Sequence, residues 1–432
     1  MHAQMRRCRT FGLCLAVSLA LAAPAARADQ QKMSDSQRLD QLEKENADLR
    51  RRLELLEGSS TQDVYVAKAS IPEKTLEFLG QTELSGFVSS SFFHNFNNSS
   101  DGLIPGRGFD YRSDQFMINK FVITLEKPVD YNAFDWTAGY SVQTIFGQDA
   151  EFTQQDDFNL GTDGDLFLAN VVVNVPVGNG LKITIGKYGT PLGYELTLTE
   201  QNANWSGGNQ WTFVEPFTHT GVVLGYKPTS ELEVQLLLNN GWDDVNDNNN
   251  AKSLMGYINY APNDNTSFTL IGYGGPEQDD NSSNWRDGVE LVATRVLTPQ
   301  LSSAVQIDYG HEQNAAVHLD PATGDPFISG DAQWWAAGLW LTYDFTEKVQ
   351  AALRGDYLND INGARTSDSP SRNPLPANSG QELYSVTLTL NYKPLKEVRI
   401  SPEFRWDHST LDNAFNGYAD QITLGFGVAY FY

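Results

Sequence analysis

Arg399, Glu403, Arg405 and Asp407 occupy odd positions of one segment, and Val398, Ile400, Phe404 and Trp406 occupy even positions between them. In an extended chain alternate side chains point to opposite faces, so the four charges share one side and the apolar residues the other. Two segments earlier, Gln350, Arg354 and Asp356 repeat the arrangement. Guanidinium and carboxylate groups on one wet wall can neutralise one another as braces, or form a ladder that orients a passing polar solute. Both readings stand on sequence alone.

A second set of charges belongs to a connection. Residues 190–212 carry Glu195 and Glu200, with Trp205 and Trp211 around Gly207-Gly208. Folded inward, this connection would constrict a bore, its carboxylates opposing Arg354, Arg399, Arg405 or Lys182 in a transverse field. Left outside, it is a surface loop.

Other chemistry is poorly supported. His311-Glu312 begins like a zinc-protease motif, but Ala315 stands where the second histidine belongs, and no G-x-S-x-G is present. His94, His219, His318 and His408 have no metal-ligand spacing. Gly106-Arg107-Gly108 and Gly425-Phe426-Gly427 do not complete a nucleotide fingerprint. Neither catalysis nor a cofactor or metal is expected. The acidic runs are Asp149, Glu151, Asp156, Asp157, Asp163 and Asp165, then Asp243, Asp244 and Asp247 among asparagines. They match no defined calcium loop; they are read either as solvated loop charge or as cation bridges to anionic lipid headgroups. Either way a mouth lined by them favours cations.

These residues need elements to hold them. The chain has 432 residues, is 40% apolar and 19% charged, and has a mean hydropathy of −0.39. It lacks the runs of about 20 apolar residues that a helical membrane bundle requires. Its one apolar run is N-terminal and short. Arg6, Arg7 and Arg9 precede an apolar stretch from Phe11 to Ala23 and the site Ala26-Arg27-Ala28, so residues 1–28 read as a secretory signal peptide. That stretch holds both cysteines, four of the 30 basic residues and none of the 54 acids, so its removal deepens the net charge from −24 to −28. No disulfide is then possible, and nucleic acid, which demands clustered Lys and Arg, is not an expected partner.

Residues 29–58 are rich in Glu, Arg and Leu. Leu39, Leu42, Asn46, Leu49, Leu53 and Leu56 alternate at three and four residues, the seam of a short coiled coil with a buried asparagine at one a position. A solitary amphipathic helix is the plainer reading; oligomerisation through the seam is the sharper one. Residues 59–82 read as a linker.

From residue 83 to 432, aromatic and β-branched residues alternate with polar ones over stretches of roughly ten, joined alternately by short and long connections. The predicted fold is all-β: a transmembrane antiparallel β-barrel of about 16 strands behind a short N-terminal coiled-coil helix. Strands are expected to start near Leu84, Gln115, Phe134, Leu166, Leu181, Phe217, Leu232, Ser253, Thr266, Arg286, Leu301, Gln333, Val349, Gln381, Val398 and Asp420. Parity then puts Lys182, Arg354, Asp356, Arg399, Glu403, Arg405 and Asp407 on a pore lining, with Glu195, Glu200 and Trp205 in the constriction loop. A cylinder this wide leaves water along its axis. It implies passive diffusion of small hydrophilic solutes, cations preferred, through a bacterial outer membrane, with the N-terminal segment in the periplasm. The alternatives are a substrate-selective channel, for instance for saccharides stacking on Trp334, Trp340 and Tyr257, and a structural or adhesive envelope barrel with a plugged lumen.

Three stretches add a resemblance. GKYGTPLGYE at residues 186–195, EPFTHTGV at 215–222 and NNGWDDVNDNN at 239–249 resemble, in kind and order, motifs of the β-barrel porin family of the OmpL-like type. The resemblance covers residues 83–432 and implies an outer-membrane pore; it brings no particular solute. A coiled coil leading into a barrel is also similar to certain trimeric sugar porins and envelope-tethering porins, which implies a homotrimer. The Pro-Glu-Phe-Gly-Gly sequence of general-porin constriction loops is absent.

Overall fold

A segment with one apolar and one polar flank is stable in a bilayer only if its backbone hydrogen bonds are closed on themselves. A ring of antiparallel strands closes them and leaves no edge. The computed structural model has this ring. The structure describes residues 44, 47, 73–97, 101–154, 160–367 and 375–432. The expected signal peptide, the linker up to residue 72, Asp156 and Asp157 lie outside the described residues. So does the expected coiled coil, except for Lys44 and Ala47, which are helical.

The strands are β1 (Glu83–Asn95), β2 (Gln115–Lys127), β3 (Thr137–Phe146), β4 (Gly164–Val175), β5 (Leu181–Gly189) and β6 (Thr218–Tyr226). They continue as β7 (Leu232–Asn239), β8 (Ser253–Asn263), β9 (Thr266–Gln278), β10 (Asn281–Val296), β11 (Leu301–Glu312), β12 (Val317–Leu319) and β13 (Pro326–Ile328). The last are β14 (Ala332–Thr346), β15 (Val349–Asp360), β16 (Gln381–Leu395), β17 (Val398–Ser409) and β18 (Asp420–Phe431). β12 and β13 form a separate hairpin; the other sixteen make one closed antiparallel barrel. β11 pairs directly with β14, and β1 closes the ring on β18 from Phe87↔Phe431 to Asn95↔Thr423.

Alternation explains which flank faces out. On β18, Ile422, Leu424, Phe426 and Tyr430 are exposed, while Gln421, Thr423, Gly427 and Ala429 are buried. β16 does the same, with Tyr384, Val386, Leu388, Leu390 and Tyr392 outward and Ser385, Thr387, Thr389 and Asn391 inward.

Strand starts match the sequence expectation within two residues except at two places. β3 begins at Thr137 and not Phe134, because Asn132 Oδ1 accepts the backbone N–H groups of Phe134 (2.8 Å) and Asp135 (3.3 Å), which holds that stretch in a turn. β10 begins at Asn281, not Arg286. The long outward connection expected over 276–285 is instead a tight hairpin through Asp279-Asp280, with Asp280 at φ 55°, a left-handed conformation that Asp tolerates. Within the expected linker a helix forms, α1 (Glu73–Gly80), following Pro72 and ending at a glycine, as helices commonly start and stop. Phe78 stacks on Tyr140 of β3, ring centroids 5.8 Å apart, which fixes α1 against the barrel end that carries the short turns.

Two further helices, α2 (Ala150–Thr153) and α3 (Asn209–Phe213), are single turns inside long connections. They belong to the interior. Phe109, Phe152, Trp211 and Phe217, from three connections, pack with Phe87, Val122 and Phe167 of the wall. A second apolar cluster joins Phe213, Leu375 and Phe415 to the wall residues Trp334, Leu358 and Leu383. The connections that carry these residues thus fold into the cylinder and bury their own apolar side chains there.

Candidate pore constriction

The connection from β5 to β6, residues 190–217, turns inward and meets the charged wall. Arg354 of β15 is the centre of its seat. Its Nη1 donates to Glu195 Oε1 and to the Ser206 carbonyl, both at 2.6 Å, Nη2 donates to Thr387 Oγ1 at 2.9 Å, and Nε lies 3.1 Å from Asp356 Oδ2. Glu195 uses its other oxygen to accept the Gly208 N–H at 2.8 Å and also receives Trp340 Nε1 at 3.3 Å.

The remaining wall charges meet loop backbone. Glu403 accepts the N–H of Trp205 at 2.7 Å and of Ser206 at 3.2 Å, together with the Thr389 hydroxyl at 2.7 Å. Asp356 accepts the Asn209 N–H at 3.1 Å. Arg405 donates to the Gly207 carbonyl and to Asp407, both at 2.6 Å. Arg399 donates to the Asn202 carbonyl at 2.7 Å, and its guanidinium lies 5.7 Å from the centre of the Trp205 ring. Trp205 is seated against Gly427 of β18, where any Cβ would lie 2.1 Å from the indole, so the wall needs a glycine there. On the other side of the loop, Glu200 accepts from Ser89 at 2.6 Å and is paired with Lys120 of β2 at 2.9 Å.

The structure therefore brings together Arg354, Asp356, Arg399, Glu403, Arg405, Asp407, Glu195, Glu200 and Trp205, but not as two walls across a water gap. All nine are buried. The reason is chemical: the loop presents carbonyls at 202, 206 and 207 and amides at 205, 206 and 209, which satisfy the wall's charges in contact. Lys182 stands apart, its ammonium 4.7 Å above the Tyr131 ring near the short-turn end.

Sequence reading missed an acidic counterpart. Glu290 of β10 and Asp308 of β11 are register partners, and Glu215 of the loop joins them around the Gln306 amide, which donates to Glu215 at 2.6 Å, Glu290 at 3.2 Å and Asp308 at 3.1 Å. The loop adds the Gly193 N–H to Glu290 at 2.9 Å and the Gln210 amide to Asp308. Among the described residues no Lys or Arg lies within ion-pair distance of this trio. Burial, reinforced by the nearby Asp308 carboxylate, pushes Glu215 well above the usual carboxylate range.

The outward acids also differ from expectation. Asp149 is buried and paired with Lys120 at 2.9 Å, Asp165 is buried 3.5 Å from Lys187, and Asp243 caps the backbone N–H groups of Phe217 and Thr218, each at 2.8 Å. They are structural partners, not solvated charge, whereas Asp163 is exposed. The aromatic track is not open either. Trp334 and Trp340 are buried, with Trp340 against Tyr194 at 4.9 Å.

Below the loop the lumen opens into polar cavities. One of about 450 Å³ is lined by Ser, Thr and Asn residues of β8 to β11, among them Asn263, Thr266, Ser267 and Ser303. Another, of about 530 Å³, lies under the loop beside Asn202, Gln350, Asn391, Lys393 and Arg399.

A closed sixteen-strand cylinder with an apolar exterior, a polar lower lumen and an inward-folded third long connection defines an outer-membrane β-barrel of the porin type. Residues 81–432 match the family described as "Putative beta-barrel porin-2, OmpL-like", and the chain belongs to that family. The expected resemblance and outer-membrane fold therefore hold. Among solved structures the chain is similar to OmpF of Salmonella typhi in complex with daunomycin (12% identity, TM-score 0.55, covering 81% of this chain and 97% of that one). It is also similar to an anion-selective porin from Comamonas acidovorans (10%, 0.53, 81% and 99%) and to the outer-membrane channel DcaP of Acinetobacter baumannii (12%, 0.52, 81% and 97%). At such identities the likeness is one of fold. No curated protein sequence matches the chain.

Proposed function

We propose that the chain is a channel for passive diffusion of small hydrophilic solutes, its bore set by residues 190–217. The observation that carries this reading is the loop's seat, which fixes it by Arg354, Glu403 and Arg405 above polar cavities of diffusible-solute size. A flexible surface loop would need no such anchoring. The exposed carboxylates of Glu151, Asp163, Asp279, Asp280 and Asp331 give the long-loop end a negative field, and with it a preference for cations. We extend the proposal to a homotrimer joined through the heptad seam of residues 29–58, with that segment in the periplasm and outer-membrane lipid around the barrel.

Reconstitution in planar bilayers tests the channel. Discrete conductance steps with a cation-positive reversal potential are expected, and neutral replacement of Arg354, Arg399 and Arg405 should raise cation selectivity; an unchanged reversal potential removes the three from the conduction path. A second reading, a structural or adhesive envelope barrel, draws on the two apolar clusters that fill the lumen at the level of Trp211 and Phe213. Electrical silence of a correctly folded barrel decides for it.

A further inference from the structure

We infer that the vestibule beneath the 190–217 loop holds a subsite for an oxyanion-bearing solute, a carboxylate or a phosphate, gripped by Arg399 with Lys393 and Lys396. This rests on the channel reading and adds to it, placing an anion subsite low in the lumen, apart from the long-loop end whose field favours cations. Three guanidinium groups sit under the loop, and they are not equivalent. Arg354 and Arg405 each touch a carboxylate, Glu195 at 2.6 Å and Asp407 at 2.6 Å. Arg399 touches none. It is 7% exposed, its Nη1 is taken by the Asn202 carbonyl, and its Nε and Nη2 are buried without a hydrogen-bond partner among the described residues.

Those two nitrogens form the side-on fork that a carboxylate or phosphate engages with two oxygens, the strongest hydrogen-bonding mode of arginine. Leaving such a fork empty and shielded from water is costly, so an unfilled one points to a missing partner. The nearby acids are already committed: Glu200 to Lys120 and Ser89, Glu403 to the loop amides and Thr389.

The surroundings suit an anion that arrives from below. Arg399 is part of the wall of two cavities, the one of about 530 Å³ and another of about 290 Å³, and Lys393 lines both. Lys396 lines the smaller. Neither lysine is ion-paired among the described residues, so their charge is available to the vestibule. Gln350 adds an amide on the same side.

Calorimetric titration of the full-length, detergent-solubilised protein at low salt is the test, with succinate and inorganic phosphate as probes and Lys252→Gln, on the extracellular side, as the charge control. Saturable binding of at least one probe is expected. It should weaken about tenfold in Arg399→Gln, weaken less in Arg399→Lys, which keeps the charge and loses the fork, and stay unchanged in Lys252→Gln. Which probe binds more tightly tells carboxylate from phosphate. Absence of binding by both probes, or equal affinity in the wild type and a folded Arg399→Gln barrel, overturns the subsite. Binding by a barrel that is silent in bilayers supports the subsite while overturning the channel; conduction without binding does the reverse.

Discussion

Two of the flanks that hold the loop across the lumen do so by different physics. On the flank of β14 to β18 arginines pair with the acids: Arg354 binds Glu195 and Asp356, and Arg405 binds Asp407. On the flank of β10 and β11, Glu215, Glu290 and Asp308 gather around one glutamine amide without a cation at contact distance. Ion pairing fixes the first attachment. The second depends on where its loop carboxyl, Glu215, keeps its proton. One loop thus has an ion-paired anchor and one that turns on a carboxyl raised by burial.

The largest effect should come from breaking the ion-paired anchor. Arg354→Ala leaves Glu195 and Asp356 buried and unpaired, a loss of about 3–5 kcal/mol when one partner of a buried pair is removed. Denaturant unfolding of the refolded barrel should show the drop, with larger and noisier conductance steps as the loop lifts. Full wild-type stability would mean that the lattice on this flank contributes no net anchoring.

A smaller effect separates the flanks by pH. Glu215 has a higher pKa when seated than when the loop is free, so the seated state binds more protons. Its contribution is complete below the ordinary glutamate range and is lost as pH rises from about 4.5 toward the elevated seated value, at about 1.4 kcal/mol for each unit between them. Limited proteolysis of the loop across pH 5 to 9 should therefore accelerate with pH in the wild type. In Glu215→Gln, which holds a neutral amide at that place, the pH dependence should flatten. An equally steep profile in that variant would place the titration elsewhere.

Much of this frame was legible in the sequence, for one reason: a period of two is simple. Alternation along β16 and β18 gave the lipid and lumen faces, and the same parity put Arg354, Glu403 and Arg405 on the inner wall. Lys120 was not legible. The register slips between Ser89 and Ser90, opposite Lys120 and Ile118, and Asn119 and Lys120 both become buried, so counting by twos fails there. The roles of Asp149, Asp165 and Asp243 were hidden differently. An acid in a long polar connection reads as solvated, and only the folded chain supplies Lys120, Lys187 or the backbone of Phe217 as its partner. The trio at Gln306 left half a signal: parity points Glu290 and Asp308 inward, but their meeting with Glu215 needs the strand register and the loop's path.

The smallest expected effect concerns the residue that belongs to neither flank. Lys182 faces inward by parity, yet the fold leaves it near the short-turn end over the Tyr131 ring at 4.7 Å, with Tyr131 in turn bonded to Glu233 at 2.9 Å. A partly exposed cation over an aromatic ring is worth about 0.5–1 kcal/mol, and it touches no residue of the 190–217 loop. Lys182→Gln should therefore cost no more than that in unfolding experiments and leave both the step size and the pH profile of loop proteolysis as in the wild type. If it instead altered the step size, the narrowest part of the path would lie in the vestibule beside Tyr131, and the loop's two anchors would be bracing the barrel without setting its bore.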